Sequence, residues 1–178
     1  ETSEEKIELE QLLGKIGDNP FAVYYSNIFW DLTALDKEII FNTIEDSIIY
    51  LIEWFENRPQ FSLVLKSHPA EKHKLIPETF QTVGSIIEQK FKTGLPENII
   101  YLDSLTNVSS YDLYPRSACT LAWTGTSGME SAMFGIPCIS FANAHYRGKG
   151  FTIDPVNINE IDEALTKNMT SSKKLDDK

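Results

Sequence analysis

A chain of 178 residues, 42% of them hydrophobic, is long enough to bury one core of ordinary globular size, which excludes a disordered or repeat-only polypeptide. Its formal net charge of −10 excludes a nucleic-acid scaffold, which would carry a basic face, but still allows an anion held locally by backbone N–H groups and a few cations. Cys119 and Cys138 lie in apolar runs, ACTLAW and IPCISF, where free cysteine behaves as a small hydrophobe, so a reducing compartment is expected and a disulfide framework is not.

Residues Ser3–Ile16 place Ile7, Leu12, Leu13 and Ile16 on one helical face before Gly17-Asp18-Asn19-Pro20 stops the run. Residues 1–20 thus read as a connecting helix and linker. Because the sequence opens at Glu1, without methionine and inside a charged stretch, it reads as a piece of a longer polypeptide. Phe21–Tyr25 (FAVYY) is apolar at every position, as a central parallel strand is. A loop with Trp30 and Asp31 leads to a long helix over Lys37–Asn57, whose Ile39, Ile40, Ile44, Ile48, Leu51, Ile52 and Phe55 form a core stripe ending at Arg58-Pro59.

Phe61–Leu65 is the second strand, and Lys66-Ser67-His68-Pro69 follows at its carboxyl end. Residues Glu71–Phe91 form a less regular helical region broken by Pro77, in which His73 is assigned to solvent. Asn98–Leu102 is the third strand and Tyr111–Ser117 a short helix or turn. Ala118–Trp123, Thr126–Phe134, Pro137–Phe141 and Ile158–Thr166 then read as strand, helix, strand and helix, with residues 169–178 a flexible tail. Strands alternating with helices predict an α/β domain over residues 21–168, Rossmann-like, with a parallel sheet and helices on both faces. No apolar run reaches the 18 or so residues that span a bilayer.

In such a sheet the residues just after each strand share one neighbourhood, where ligands bind. Here they are Ser26-Asn27, Lys66 to Pro69, Asp103-Ser104 and Thr124-Gly125-Thr126-Ser127-Gly128. In the last group, two glycines let a ligand approach the backbone, and three hydroxyls surround N–H groups at a helix start, which predicts a phosphate site. Glu130 stays open between a sugar or ribose hydroxyl and a capping box with Ser127. His68, fixed by Pro69, is suited to donate to a phosphate oxygen with help from Lys66. In the loop Ala144-His145-Tyr146-Arg147-Gly148-Lys149-Gly150-Phe151, Tyr146, Arg147 and Lys149 are expected to close over a charged donor, with the glycines supplying mobility. Asp31 and Asp36 show no metal-site spacing.

The segments SHP, TGTSGMESAMFGIPCISF and AHYRGKGFTIDP resemble the carboxyl-terminal half of the bacterial capsule polysaccharide biosynthesis proteins, glycosyltransferases of the two-Rossmann-domain GT-B type that include Kdo transferases. The resemblance covers roughly Phe21 to Pro155. It implies that His68 contacts the donor phosphate and that Thr126, Ser127 and neighbouring N–H groups hold the nucleotide. It also implies no cofactor and no bound metal, the CMP- or NDP-linked sugar being substrate. The implied partners are a nucleotide-sugar donor, a glycan or lipid-linked acceptor, and an amino-terminal domain of the same polypeptide that supplies the catalytic base; nucleic acid is not among them. A cytoplasmic location is implied, and peripheral association with a capsule assembly complex at the inner membrane is allowed. Two other readings stand beside it: a sugar-nucleotide epimerase of the same architecture, and a non-catalytic nucleotide- or glycan-binding module.

Overall fold

The computed structural model describes residues 3–29, 36–72 and 81–171; Trp30, Asp31, His73, Pro77 and the tail beyond Ser171 lie outside the described residues. Helix α1 (Ser3–Ile16) leads into β1 (Phe21–Tyr25), followed by α2 (Ile44–Glu56), β2 (Ser62–Lys66) and α3 (Val83–Lys90). Next come β3 (Ile99–Leu102), the single turn α4 (Ser110–Leu113), β4 (Cys119–Ala122), α5 (Ser127–Met133), β5 (Cys138–Ser140) and α6 (Ile158–Ser171). All five strands pair in parallel in the order β3-β2-β1-β4-β5, the predicted Rossmann-like α/β sheet.

Strand β1 is buried throughout because it is central, with side chains alternating between two cores. Ala22 and Tyr24 face a core built with α2, α3 and α6, while Phe21, Val23 and Tyr25 face one built with α1 and α4. Helix α1, read as a connector, is therefore part of the second core: Leu9, Leu12 and Ile16 pack there, and Ile7 points to solvent instead of joining them.

The stripe expected from residue 39 begins later. Thr43 is extended and its hydroxyl accepts the Asp46 N–H at 3.0 Å, which starts α2 at Ile44 and leaves Ile39 39% exposed. Phe41 still enters the core, against Tyr50 and Phe141. Helix α6 runs to Ser171, into the segment read as tail, because Ala164, Leu165 and Met169 continue its buried face. The Trp54 Nε1–H donates to Asp162 at 2.6 Å, and Arg58 stacks on the Trp54 ring while pairing with the same carboxylate at 3.1 Å, which ties α2 to α6.

Cys119 and Cys138 lie on adjacent strands as free, buried thiols, and burial pushes Cys138 up to about 12. Among the described residues no helix is long and apolar enough to cross a membrane.

Candidate functional site

A cleft of about 460 Å³ opens at the carboxyl ends of β2, β1 and β4. This is the switch point of the topology, because β2 lies on one side of β1 and β4 on the other, so the connections leave in opposite directions. Lys66, Ser67, His68 and Pro69 form one wall; Thr124, Gly125, Thr126, Ser127 and Glu130 form the other. The structure thus brings together two segments that lie more than fifty residues apart in the sequence.

On the β2 side, Lys66 is only 7% exposed, and its ammonium has no carboxylate partner among the described residues. Burial pulls its pKa below the ordinary lysine value, and the more distant Glu8 opposes that shift. Glu8 itself is occupied elsewhere: from within α1 its carboxylate accepts from the Thr106 hydroxyl and the Asn107 N–H. The Ser67 hydroxyl is shared with that of Tyr101 at 3.1 Å. His68 Nδ1 accepts the Ala70 N–H at 3.1 Å, so the neutral ring carries its hydrogen on Nε2. Pro69 opens a 3₁₀ turn through Lys72 in which the Glu71 N–H binds the His68 carbonyl, fixing the backbone that presents the imidazole.

On the β4 side, the Asn27 amide bridges two strand ends. Its oxygen accepts the Thr124 N–H at 3.3 Å and its nitrogen donates to the Thr124 hydroxyl at 3.0 Å. Helix α5 has seven residues, too short to build a large macrodipole, so anion binding falls to individual groups rather than to a helix end. The first N–H groups, at Thr126 and Ser127, have no intrahelical acceptor. No Ser127–Glu130 capping box forms. Thr126 precedes the helix in a helical conformation, and Glu130 instead accepts the Thr126 hydroxyl at 2.8 Å and the Tyr114 hydroxyl at 3.1 Å.

The glycines serve ends different from those expected. Gly128 does not line the cleft. A Cβ there would lie 2.7 Å from Tyr146 Cζ, so its bare backbone makes room for a protein ring. At Gly125 a Cβ would make only ordinary contacts, with Ser127 and Asn27 at 3.5 and 3.6 Å.

Nor do Tyr146 and Arg147 behave as a lid, and neither lines the cleft. Tyr146 is 1% exposed and its hydroxyl donates to the Gly125 carbonyl at 2.9 Å. The Arg147 guanidinium is bound to the carbonyls of Ser140 and Asp154, at 2.9 and 3.0 Å, and to that of Pro155. Asp154 closes the same loop by accepting the Gly148 N–H and the Thr152 hydroxyl. Gly148 and Gly150 provide left-handed turn positions, with φ of +74° and +86°. The group this loop does present to the cleft is His145, its ring edge-on to Tyr146.

His145 was thus inside a segment the sequence flags, under the wrong residues. Tyr25, Ser110 and Tyr114 also line the cleft, although no strand-end position marks Ser110 and Tyr114. They arrive on and just after α4, which packs across the sheet face beside β1. Burial pushes the Tyr25 and Tyr114 phenols well up, so both remain hydrogen donors near neutral pH. The cleft therefore offers an ammonium, two imidazoles, several hydroxyls and two backbone N–H groups, with Glu130 as the one lining carboxylate among the described residues. That set suits a small anionic ligand bearing hydroxyls. Among the described residues no group of three or more His, Cys, Asp or Glu side chains is placed to hold a metal ion.

No protein-family model and no curated protein matches the chain. Among solved structures, the beta Kdo 2,7 transferase of KpsC from Thermosulfurimonas dismutans is similar with a TM-score of 0.51 and 16% identity, over 89% of this chain and 46% of that one. The UDP-GlcNAc 2-epimerase of Neisseria meningitidis, bound to UDP-GlcNAc, gives 0.59 and 16% over 93% and 40%. The Methanocaldococcus jannaschii UDP-GlcNAc 2-epimerase, in complex with UDP-GlcNAc and UDP, gives 0.55 and 13% over 96% and 45%. The chain spans less than half the length of each. At these identities the likeness establishes the fold: a five-stranded parallel Rossmann-like α/β sheet of the kind found in GT-B-type transferases and epimerases.

Proposed function

We propose that this chain is the nucleotide-sugar donor-binding half of a glycosyltransferase of capsule or surface polysaccharide synthesis. The observation that carries the reading is Lys66, a buried cation without a carboxylate partner among the described residues, lining one cleft with His68 and the Thr124–Ser127 turn. A nucleotide phosphate supplies the missing counter-charge and accepts from the His68 Nε2–H and the turn N–H groups. Glu130, already accepting from two hydroxyls, is suited to accept from the hydroxyls of a ribose or sugar.

Transfer then proceeds by attack of an acceptor hydroxyl, on a glycan or lipid-linked acceptor, at the anomeric carbon. The bond from that carbon to the phosphate oxygen breaks, and the charge left on the phosphate is stabilised by donors already in place. The base that takes the acceptor proton comes from the facing, amino-terminal domain of the same polypeptide. The similar UDP-GlcNAc 2-epimerases of Neisseria meningitidis and Methanocaldococcus jannaschii, both bound to UDP-GlcNAc, support the donor class.

The test is calorimetric titration with CMP, UDP, GDP and their sugar conjugates. Binding by the wild type and its loss in His68→Ala are expected; absence of binding at millimolar concentration, or equal binding by the variant, rejects the site. A second reading, a sugar-nucleotide epimerase, is favoured by the higher TM-scores of the epimerases, 0.59 and 0.55 against 0.51 for two KpsC transferases. Product analysis separates the two, since epimerisation of the donor needs no acceptor.

A further inference from the structure

Thr126 and Ser127, whose N–H groups have no intrahelical acceptor, line the cleft directly after Gly125, and a glycine peptide plane rotates more freely than any other. Two side chains from elsewhere in the fold restrain this one. Asn27, at the end of β1, holds Thr124 through its N–H and its hydroxyl. From the opposite direction, Tyr146 donates to the carbonyl of Gly125 at 2.9 Å.

A trans peptide is planar, with C=O and N–H pointing opposite ways, and no described peptide is cis. Drawing the Gly125 carbonyl toward Tyr146 therefore turns the Thr126 N–H away from that ring. Gly125 and Thr126 line the cleft and Tyr146 does not, the arrangement expected where the side away from the ring is the ligand side. The ring that sets this direction is itself immobilised. It is 1% exposed, sits between His145 and Phe151 at 5.0 and 6.1 Å, and fits over Gly128 only because that residue has no Cβ. Its chain neighbour Arg147 is fastened to three backbone carbonyls, so the loop is not free to swing away.

We propose that Tyr146 is a positioning residue for anion binding: it locks the Gly125–Thr126 peptide with the Thr126 N–H toward the cleft, where that group donates to a phosphate of the bound nucleotide. The lock rests on geometry alone, and the identity of the ligand rests on the nucleotide reading above. Lys66, buried and without a carboxylate partner among the described residues, is an independent sign that the same cleft receives an anion. Burial raises the Tyr146 phenol well above its ordinary pKa, so the hydroxyl remains a donor through the neutral range.

Tyr146→Phe keeps the ring and its packing and deletes only the donor. In the ligand-free protein, the ¹⁵N order parameter of the Thr126 N–H is expected to fall from about 0.85, typical of rigid backbone, to below about 0.6, while amides of β1 and β2 stay unchanged. In titrations with UDP, CMP and GDP, the variant is expected to bind the preferred nucleotide about tenfold more weakly. The Thr126 amide resonance, which moves on saturation in the wild type, is expected to stay in place in the variant. An unchanged Thr126 order parameter, or wild-type affinity in Tyr146→Phe, overturns the proposal. If the wild type binds no nucleotide while the variant still frees the Thr126 amide, the lock is real, the nucleotide reading has failed, and the assigned role falls with it.

Discussion

Replacing Gly128 with alanine puts a Cβ 2.7 Å from Tyr146 Cζ and 3.0 Å from Cε2, closer still to the hydroxyl, and the first of these distances is one that real Cβ atoms essentially never show. The phenol is a rigid ring buried among its neighbours, so relief requires the whole ring to move and the bond to the Gly125 carbonyl to break. Overpacking of this kind costs about 1–3 kcal/mol and the lost hydrogen bond about 1 more, against a gain of up to about 1 for replacing a helical glycine. The net loss is about 2 kcal/mol, or about 4–8 °C in Tm for a chain of this length. Gly125→Ala is the control, since its Cβ meets nothing nearer than 3.5 Å and its φ lies outside the left-handed region; a change below about 0.5 kcal/mol is expected. Urea unfolding of the two variants decides the matter. Gly128→Ala as stable as Gly125→Ala would refute the packing role assigned to Gly128 and weaken the view that Tyr146 is held in one position.

Asp162→Ala removes the shared acceptor of Trp54 and Arg58 that ties α2 to α6; because the site is partly exposed, a loss of only about 1–2 kcal/mol in urea unfolding is expected, and no change refutes the tie. Lys66→Met is expected to abolish phosphate binding in calorimetry yet stabilise the ligand-free protein at pH 7. Burial holds the folded-state pKa of Lys66 below its ordinary 10.5, so the unfolded chain binds that proton more tightly. The wild type therefore gains stability as pH rises through the folded-state value, and its deficit against Lys66→Met closes near the ordinary value. A wild type more stable than the variant at pH 7 would sink this account.

The sheet was legible because each strand is a short, largely apolar run between polar or turn-forming segments, a pattern typical of central parallel strands. Boundaries set by local hydrogen bonds were less so. Ile39, Ile40 and Phe41 extend the helical spacing of α2 backward, but the Thr43 hydroxyl takes the Asp46 N–H and starts the helix there. The strand-end rule placed Lys66, His68 and Thr124–Ser127 in one cleft, because topology alone dictates that neighbourhood. The lid reading of the 144–151 loop failed, because the acceptors of Tyr146 and Arg147 are backbone carbonyls scattered from Gly125 to Pro155. An aromatic and a cation just before two closely spaced glycines read as mobile until those partners are seen. Tyr114 was missed for the opposite reason: it reaches the cleft from a one-turn helix that carries no chemical signature.

On the proposed reading, a protein with a net charge of −10 binds an anion against its own average field, and the placement of charge indicates how. At physiological ionic strength exposed charges are screened beyond about 8 Å, so carboxylates on the outer faces act only weakly on the cleft floor. Lys66 is removed from that screening by burial and acts at short range on whatever lies against it. The one lining carboxylate among the described residues, Glu130, is held by the Thr126 and Tyr114 hydroxyls, which draw on its charge at both oxygens. A compact phosphate at the strand ends thus meets a local field opposite in sign to that of the whole molecule. A polynucleotide, whose charges extend past the cleft, meets the acidic surface instead and is expected to be repelled. Affinity for a mononucleotide should accordingly vary little with salt, because its favourable contacts lie within the screening length and the unfavourable ones beyond it.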